Sequence, residues 1–157
     1  MLQQGNRAPI STTVFDEKGK SVSLQQYQGY YVVLYFYPKD NTPGCTVEAC
    51  NFRDANTEIE QLGAVIIGVS KDSIASHQKF QQKHELNFPL WSDPDHTLMQ
   101  AFGTWGKRKF AGVSYEGTAR ATFVIDPKGT IIRVWEKVTP VGHAEEVLNF
   151  LRTVIKK

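Results

Sequence analysis

The chain carries two cysteines, Cys45 and Cys50, both inside the stretch "FYPKDNTPGCTVEACNFRD". A pair of thiols can serve as a staple, as metal ligands or as redox groups, and spacing helps to choose among these. A disulfide closing so short a loop is worth only about 2 kcal/mol in the chain-entropy model, before strain. Metal is no better served, because two thiols do not complete a tetrahedral cage and His77, His84, His96 and His143 show no zinc-site spacing. Redox chemistry is the commoner use of two nearby cysteines in a reducing compartment.

Position strengthens that reading. Cys45 follows Thr42, Pro43 and Gly44 and precedes a helical pattern, which puts its sulfur at or inside the first turn of a helix. Free backbone N–H groups and the positive end of the macrodipole gather there and favour the thiolate, which is the nucleophile. Pro38 and Pro43 stiffen the approach by fixing φ, and Gly44 lets the backbone pass close to whatever binds beside the sulfur. Thr42 either caps the helix through its hydroxyl or turns that hydroxyl toward the sulfur, and the two roles are compatible. In an unbroken helix, residues five apart differ by about 7.5 Å of rise and about 140° of rotation, so their Cα atoms stand roughly 8 to 9 Å apart. Disulfides rarely span more than about 7 Å between Cα atoms. A Cys45–Cys50 bond therefore requires the first turn or two to unwind, which makes the pair a two-state element.

The hydrophobic pattern outlines the elements that must hold this segment. Residues 30–37 ("YYVVLYFY") and 64–70 ("AVIIGVS") are continuously apolar and β-branched or aromatic, as suits strands covered on both faces. The first of them is expected to be central. "ATFVID" (121–126) and "TIIRVWEKV" (130–138) flank the turn signal "DPKG" and read as an antiparallel pair. Phe52, Ala55, Ile59 and Leu62 form one stripe of a helix beginning near Cys45. Further helices are expected over residues 73–85, with Ile74 and Phe80 inward, and over 95–102. A last helix, over 143–157, has Val147, Leu148, Leu151, Val154 and Ile155 on one face and closing lysines that suit the dipole. "STTVFDEKGKSVSL" reads as an N-terminal β-hairpin. Strands interleaved with helices predict an α/β fold, a central mixed β-sheet with helices on both faces.

Composition narrows the function classes. A chain of 157 residues fits one domain, 1–157, large enough to bury a core without staples. Its 41% hydrophobic and 22% charged residues exclude a disordered or fibrous chain. The 18 Lys and Arg against 16 Asp and Glu are scattered, which gives no nucleic-acid footprint. No apolar run suffices to span a bilayer, and the N-terminus lacks a secretory core, so a cytoplasmic protein with no membrane partner is expected. Walker and Rossmann fingerprints are absent, so no bound nucleotide, and no other cofactor, is expected. Trp91, Trp105 and Trp135 are expected to pack in the core or at its rim, "GKRK" (106–109) to be a solvated loop, and His77 and His84 to lie on a polar helix face.

Pro38, Thr42 and Cys45 stand in the pattern P-x-x-x-T-x-x-C, which resembles that of the peroxiredoxins. With Cys50 five residues on, the chain is similar to the peroxiredoxin Q, or bacterioferritin comigratory protein, group. The similarity runs from "GNRAPISTTVFDEKGKSVSL" through "GVSKDS", "FPLWSDPD" and "RATFVID" to the last helix. It implies a thioredoxin-like fold and reduction of hydrogen peroxide and organic hydroperoxides, in antioxidant defence. Carried over, Cys45 is the peroxidatic cysteine, Cys50 resolves it as an intramolecular disulfide, and Arg120 in "TARATFVID" is the arginine of a later strand. Thr42 and Arg120 would act as catalytic residues that stabilise the charge on the departing peroxide oxygen, and Pro38, Thr42, Gly44 and Arg120 would line the substrate site. The resemblance further implies thioredoxin as the reductant, with glutaredoxin as an alternative, and a monomer. An arginine suits the task, because it stays protonated and its fork serves two acceptors at once. Glu48 either orients Arg120 or another arginine or simply complements the dipole, and Arg53 reads as a surface charge paired across one turn; neither is placed in the core site. Two rivals remain: a thiol-disulfide oxidoreductase, whose usual C-x-x-C is here C-x-x-x-x-C, and a non-enzymatic redox sensor or chaperone-like module.

Overall fold

In the computed structural model, which describes residues 1–155, the chain opens with a hairpin of β1 (Val14–Phe15) and β2 (Ser21–Val22). Its turn is organised by Asp16, whose Oδ1 accepts from the N–H groups of Lys18 and Lys20, both at 2.9 Å. There follow β3 (Tyr31–Phe36), α1 (Pro43–Gln61), β4 (Ala64–Ser70), α2 (Ile74–Lys83), β5 (Leu90–Ser92) and α3 (Thr97–Phe102). The chain continues through β6 (Trp105–Phe110), β7 (Val113–Thr118), β8 (Ala121–Ile125), β9 (Ile131–Trp135) and α4 (His143–Val154).

Among the described residues, seven strands form one sheet in the order β2-β1-β5-β4-β3-β8-β9, and β6 pairs with β7 in a separate ribbon. The sheet is mixed: β3, β4 and β5 run parallel, whereas β8 is antiparallel to both β3 and β9. Successive side chains of β3 explain why its apolar run is unbroken. Val33 and Tyr35 join Phe52 and Ile59 of α1, Phe80 of α2 and Val147 and Leu151 of α4 on one face. Leu34 and Phe36 join Leu98, Met99 and Phe102 of α3 on the other. Both faces are thus closed against water, and β3 lies inside the sheet as its composition requires.

Several expectations need correction. "GKRK" is not a loop but part of β6, with Gly106 opposite Gly117 and Lys107 opposite Glu116. Alternation is the reason, since Lys107 and Lys109 stay exposed while the Arg108 guanidinium turns back to donate to the Thr104 carbonyl at 2.6 Å. The three-residue β5 escapes a periodicity reading altogether. On α2 the inward residues are His77 and Phe80, so His77 does not lie on a polar face, while Ile74 is only half-buried. The Asp93 carboxylate accepts from the N–H groups of Thr97 and Met99, both at 2.9 Å, and so caps α3. Of the closing lysines, Lys156 and Lys157 lie outside the described residues.

Candidate active site

Helix α1 begins at Pro43, a residue suited to a first helical position because it has no N–H to satisfy. Thr42 is the N-cap by conformation (φ −81°, ψ 152°), and Cys45 is the third helical residue. The first bond of the helix runs from the Thr46 N–H to the Thr42 carbonyl, at 2.9 Å. N–H groups before Thr46 have no acceptor within the helix, and they surround the Cys45 position with partial positive charge. The Thr42 hydroxyl does not take the capping role expected of it. It makes no capping bond and donates to the Lys39 carbonyl at 2.9 Å, which ties the loop before the helix to itself.

Arg120 arrives between β7 and β8, where the Ala119 N–H donates to the Thr104 carbonyl at 2.8 Å and the Val138 N–H to the Arg120 carbonyl at 3.1 Å. Its fork reaches across to α1. Nη2 donates to Cys45 Sγ at 3.2 Å, and Nη1 donates to Glu48 Oε1 at 2.8 Å. Cys45 is 1% exposed and the Glu48 side chain fully buried, while Arg120 keeps 19% of its side chain open. Gly44 makes this approach possible, since a Cβ there would lie 3.2 Å from Arg120 Nη2 and 3.4 Å from Pro140 Cγ. Of the residues expected to line the substrate site, Pro38 and Arg120 line a cleft of about 470 Å³ with Arg108, Tyr115, Thr118 and Val138, whereas Thr42 and Gly44, like Cys45, are not among its lining residues. Cys50 sits half-buried farther along the same helix, which runs unbroken through both free thiols.

Electrostatics couple the three groups around the sulfur. Burial pushes the Glu48 carboxyl up from 4.5 to about 7, while the Arg120 charge pulls it the other way. Burial opposes the Arg120 charge too, but Cys45 and Glu48 outweigh it and hold the guanidinium above its usual range. Glu48 is the member that sequence reasoning left out of the site. A signal for it existed, because an acid four residues before Phe52 falls on the apolar face of α1 and must find a partner there. Arg53, by contrast, is spent elsewhere. It bonds the adjacent Asp54 at 3.0 Å rather than a residue one turn away, and also the His84 carbonyl at 2.6 Å.

Residues 4–134 match the AhpC/TSA family. Peroxiredoxin Bcp of Bacillus subtilis (strain 168) is 46% identical over 156 residues, covering 99% of each chain. Peroxiredoxin Bcp of Escherichia coli (strain K12) is 40% identical over 151 residues, covering 96% of each. Among solved structures, a mutant of Xylella fastidiosa PrxQ superimposes with a TM-score of 0.93 at 36% identity, over 99% of each chain. The Xanthomonas campestris bacterioferritin comigratory protein, studied for its alkyl peroxide reduction activity, superimposes with a TM-score of 0.91 at 36% identity, also over 99% of each. These matches run over nearly the whole chain and its thioredoxin-like fold, and the chain belongs to the AhpC/TSA family, as a peroxiredoxin of the bacterioferritin comigratory protein group and hence a peroxidase.

Proposed function

We propose that the chain, acting as one domain, reduces hydrogen peroxide and organic hydroperoxides at Cys45. The observation that carries this reading is the 3.2 Å contact between Arg120 Nη2 and Cys45 Sγ at the first turn of α1. The Cys45 thiolate attacks one peroxide oxygen; its electron pair forms the S–O bond while the O–O bond breaks. The departing oxygen leaves with both electrons and takes up a proton as water or an alcohol, and Cys45 becomes a sulfenic acid. Arg120 and the free N–H groups at the start of α1 stabilise the charge developing on the leaving oxygen. Glu48 holds the other arm of the guanidinium, so that the fork keeps its aim. The alkyl peroxide reduction activity of the Xanthomonas relative supports organic hydroperoxides as substrates.

Regeneration follows from helix geometry. Once the first turns of α1 unwind, the Cys50 thiolate attacks the Cys45 sulfenic sulfur, the hydroxyl leaves as water, and the disulfide forms. An external dithiol then restores both thiols by exchange; thioredoxin is the proposed donor and glutaredoxin the alternative. A resolving thiol on the same chain removes the chemical need for a dimer, which supports a monomer, and a cytoplasmic setting would supply that donor. No described helix is long and apolar enough to cross a membrane. Peroxide-dependent NADPH consumption coupled through thioredoxin and its reductase tests the cycle. Cys45→Ser should abolish consumption, and Cys50→Ser should allow one turnover and leave a sulfenate that a sulfenate-specific probe captures. Continued turnover by the Cys45→Ser protein would refute the assignment; oxidation without turnover would point instead to a redox sensor.

A further inference from the structure

Away from the Cys45–Arg120 pair, a dense set of buried titratable groups lies under the loop that delivers Cys45. Asp40, in that loop, is 4% exposed, and His77 of α2 is fully buried. Asp40 Oδ1 accepts from the Tyr37 hydroxyl at 2.6 Å, and Oδ2 accepts from the Ser76 hydroxyl at 2.8 Å. His77 Nδ1 stands 2.7 Å from the same Oδ2, and His77 Nε2 stands 3.0 Å from the Trp91 carbonyl of β5. The Asp40 N–H donates to Asp72 Oδ2 at 2.9 Å, and that oxygen also accepts from the Ser70 hydroxyl at 2.6 Å. The ligand atoms of Asp40, Asp72 and His77 lie within 4.8 Å of one another, but they are committed to these hydrogen bonds rather than free for a cation.

A carbonyl only accepts, so His77 Nε2 must carry a hydrogen for Trp91. The 2.7 Å contact at Nδ1 then needs a second hydrogen, shared between His77 and Asp40. Asp40 also receives two hydroxyl donors, from Tyr37 and Ser76. The loop between β3 and α1 is therefore tied through the buried Asp40–His77 contact to α2 and β5, and through the Tyr37 hydroxyl to the end of its own strand. Just past the tie, Asn41 turns the chain through the left-handed region at φ 62° and hands it to Thr42.

We infer that Asp40 and His77 are positioning residues for the peroxidase reaction, the fixed end against which the first turn of α1 is set and reset. Arg120 can meet the Cys45 sulfur only if the helix start is held in place, and Asp40 is the one buried residue from Pro38 to Gly44 that can hold it. In the cycle proposed above, on which this inference rests, α1 unwinds downstream of the tie and refolds from it. The pair touches neither the sulfur nor Arg120, and it acts through the loop.

The test uses the Cys50→Ser chain, in which peroxide oxidation of Cys45 stops at the sulfenate, followed by stopped-flow tryptophan fluorescence. Tyr37→Phe and Ser76→Ala each delete one hydroxyl from Asp40 and leave the Asp40–His77 contact, while Asp40→Asn and His77→Gln disrupt it. Expected are a several-fold slower oxidation for the first two and a roughly hundredfold slower one for the last two, the size of effect that a small misplacement of a reacting group produces. Ile59→Val, in the buried part of α1 far from the loop, supplies a control of reduced melting temperature and should oxidise at the parental rate. Variants that fold and keep the parental rate would overturn the inference, as would a control that slows equally at equal loss of stability. If Asp40→Asn and His77→Gln fail to fold, the hydroxyl variants decide. A parent that peroxide does not oxidise would remove the peroxidase reading and this inference together.

Discussion

Replacing Glu48 by glutamine should stabilise the folded protein increasingly as pH rises, with a profile set by one buried carboxyl. Glu48 is fully buried, its Oε1 accepts from Arg120 at 2.8 Å, and its Oε2 has no partner among the described residues. A rise of its pKa from 4.5 to about 7 corresponds to about 3 kcal/mol of destabilisation once the group is ionised in both states. The sign follows from proton counts. Below 4.5 the folded and unfolded chains both hold the proton and this cost is absent; between 4.5 and about 7 only the folded chain keeps it, so stability falls as pH rises. Above about 7 the whole cost applies. The amide introduced by Glu48→Gln is neutral throughout and keeps an acceptor for Arg120, while its nitrogen adds a pH-independent penalty of about 1 to 3 kcal/mol if left unpaired. The readout is therefore the slope of the stability difference between variant and wild type, measured by urea unfolding of the reduced proteins across that range. It should climb by about 3 kcal/mol toward neutral pH and then level off. A difference flat in pH, or one growing toward acid, would refute the reasoning.

Other outcomes follow from the same site geometry. Gly44→Ala places a methyl 3.2 Å from Arg120 Nη2, so the guanidinium must shift; peroxide oxidation of Cys45 should slow by roughly tenfold, while thermal unfolding shows the fold retained. Arg120→Lys keeps a positive charge but cannot serve Cys45 at 3.2 Å and Glu48 at 2.8 Å together, and the oxidation rate should fall by roughly a hundredfold. A wild-type rate in Arg120→Lys would show that the fork is dispensable. His143 is fully buried with Nε2 2.8 Å from the Thr122 hydroxyl, and burial holds its pKa below 6.5. The unfolded chain then takes up a proton that the folded chain resists, so this group weakens the fold as pH drops through 6.5. His143→Asn should lessen that loss in acid unfolding curves.

The chemistry and much of the sheet were legible because they depend on local signals. Cys45 after "TPG" could be placed on a helix start, since Pro43 and the stripe of Phe52 and Ile59 mark that start without reference to the rest of the chain. Burial on both faces makes β3 and β4 continuously apolar, and the turn after Asp126 announces the β8–β9 hairpin. The ribbon of β6 and β7 was not legible in the same way. Its residues are largely exposed, so no apolar pattern marks it, and Lys107, Arg108 and Lys109 read equally well as a solvated loop.

Partnership across the fold was decided by tertiary structure alone. Arg120 and Glu48 are 72 positions apart, and Asp40 and His77 are 37 apart. A lone acid on a helix or a lone histidine beside polar neighbours carries no address for its partner. By itself the sequence determined which atoms could react, a thiol at a helix start with a second thiol too far along that helix to bond it. Family resemblance pointed to Arg120 for that sulfur, but only the packing of β8 against β3, and of α2 beneath the loop after β3, decided that Glu48 takes the other arm of the guanidinium and that Asp40 meets His77. The physical reason is that a desolvated charge is tolerable only opposite another one, and the place of that other one is a property of the assembled sheet.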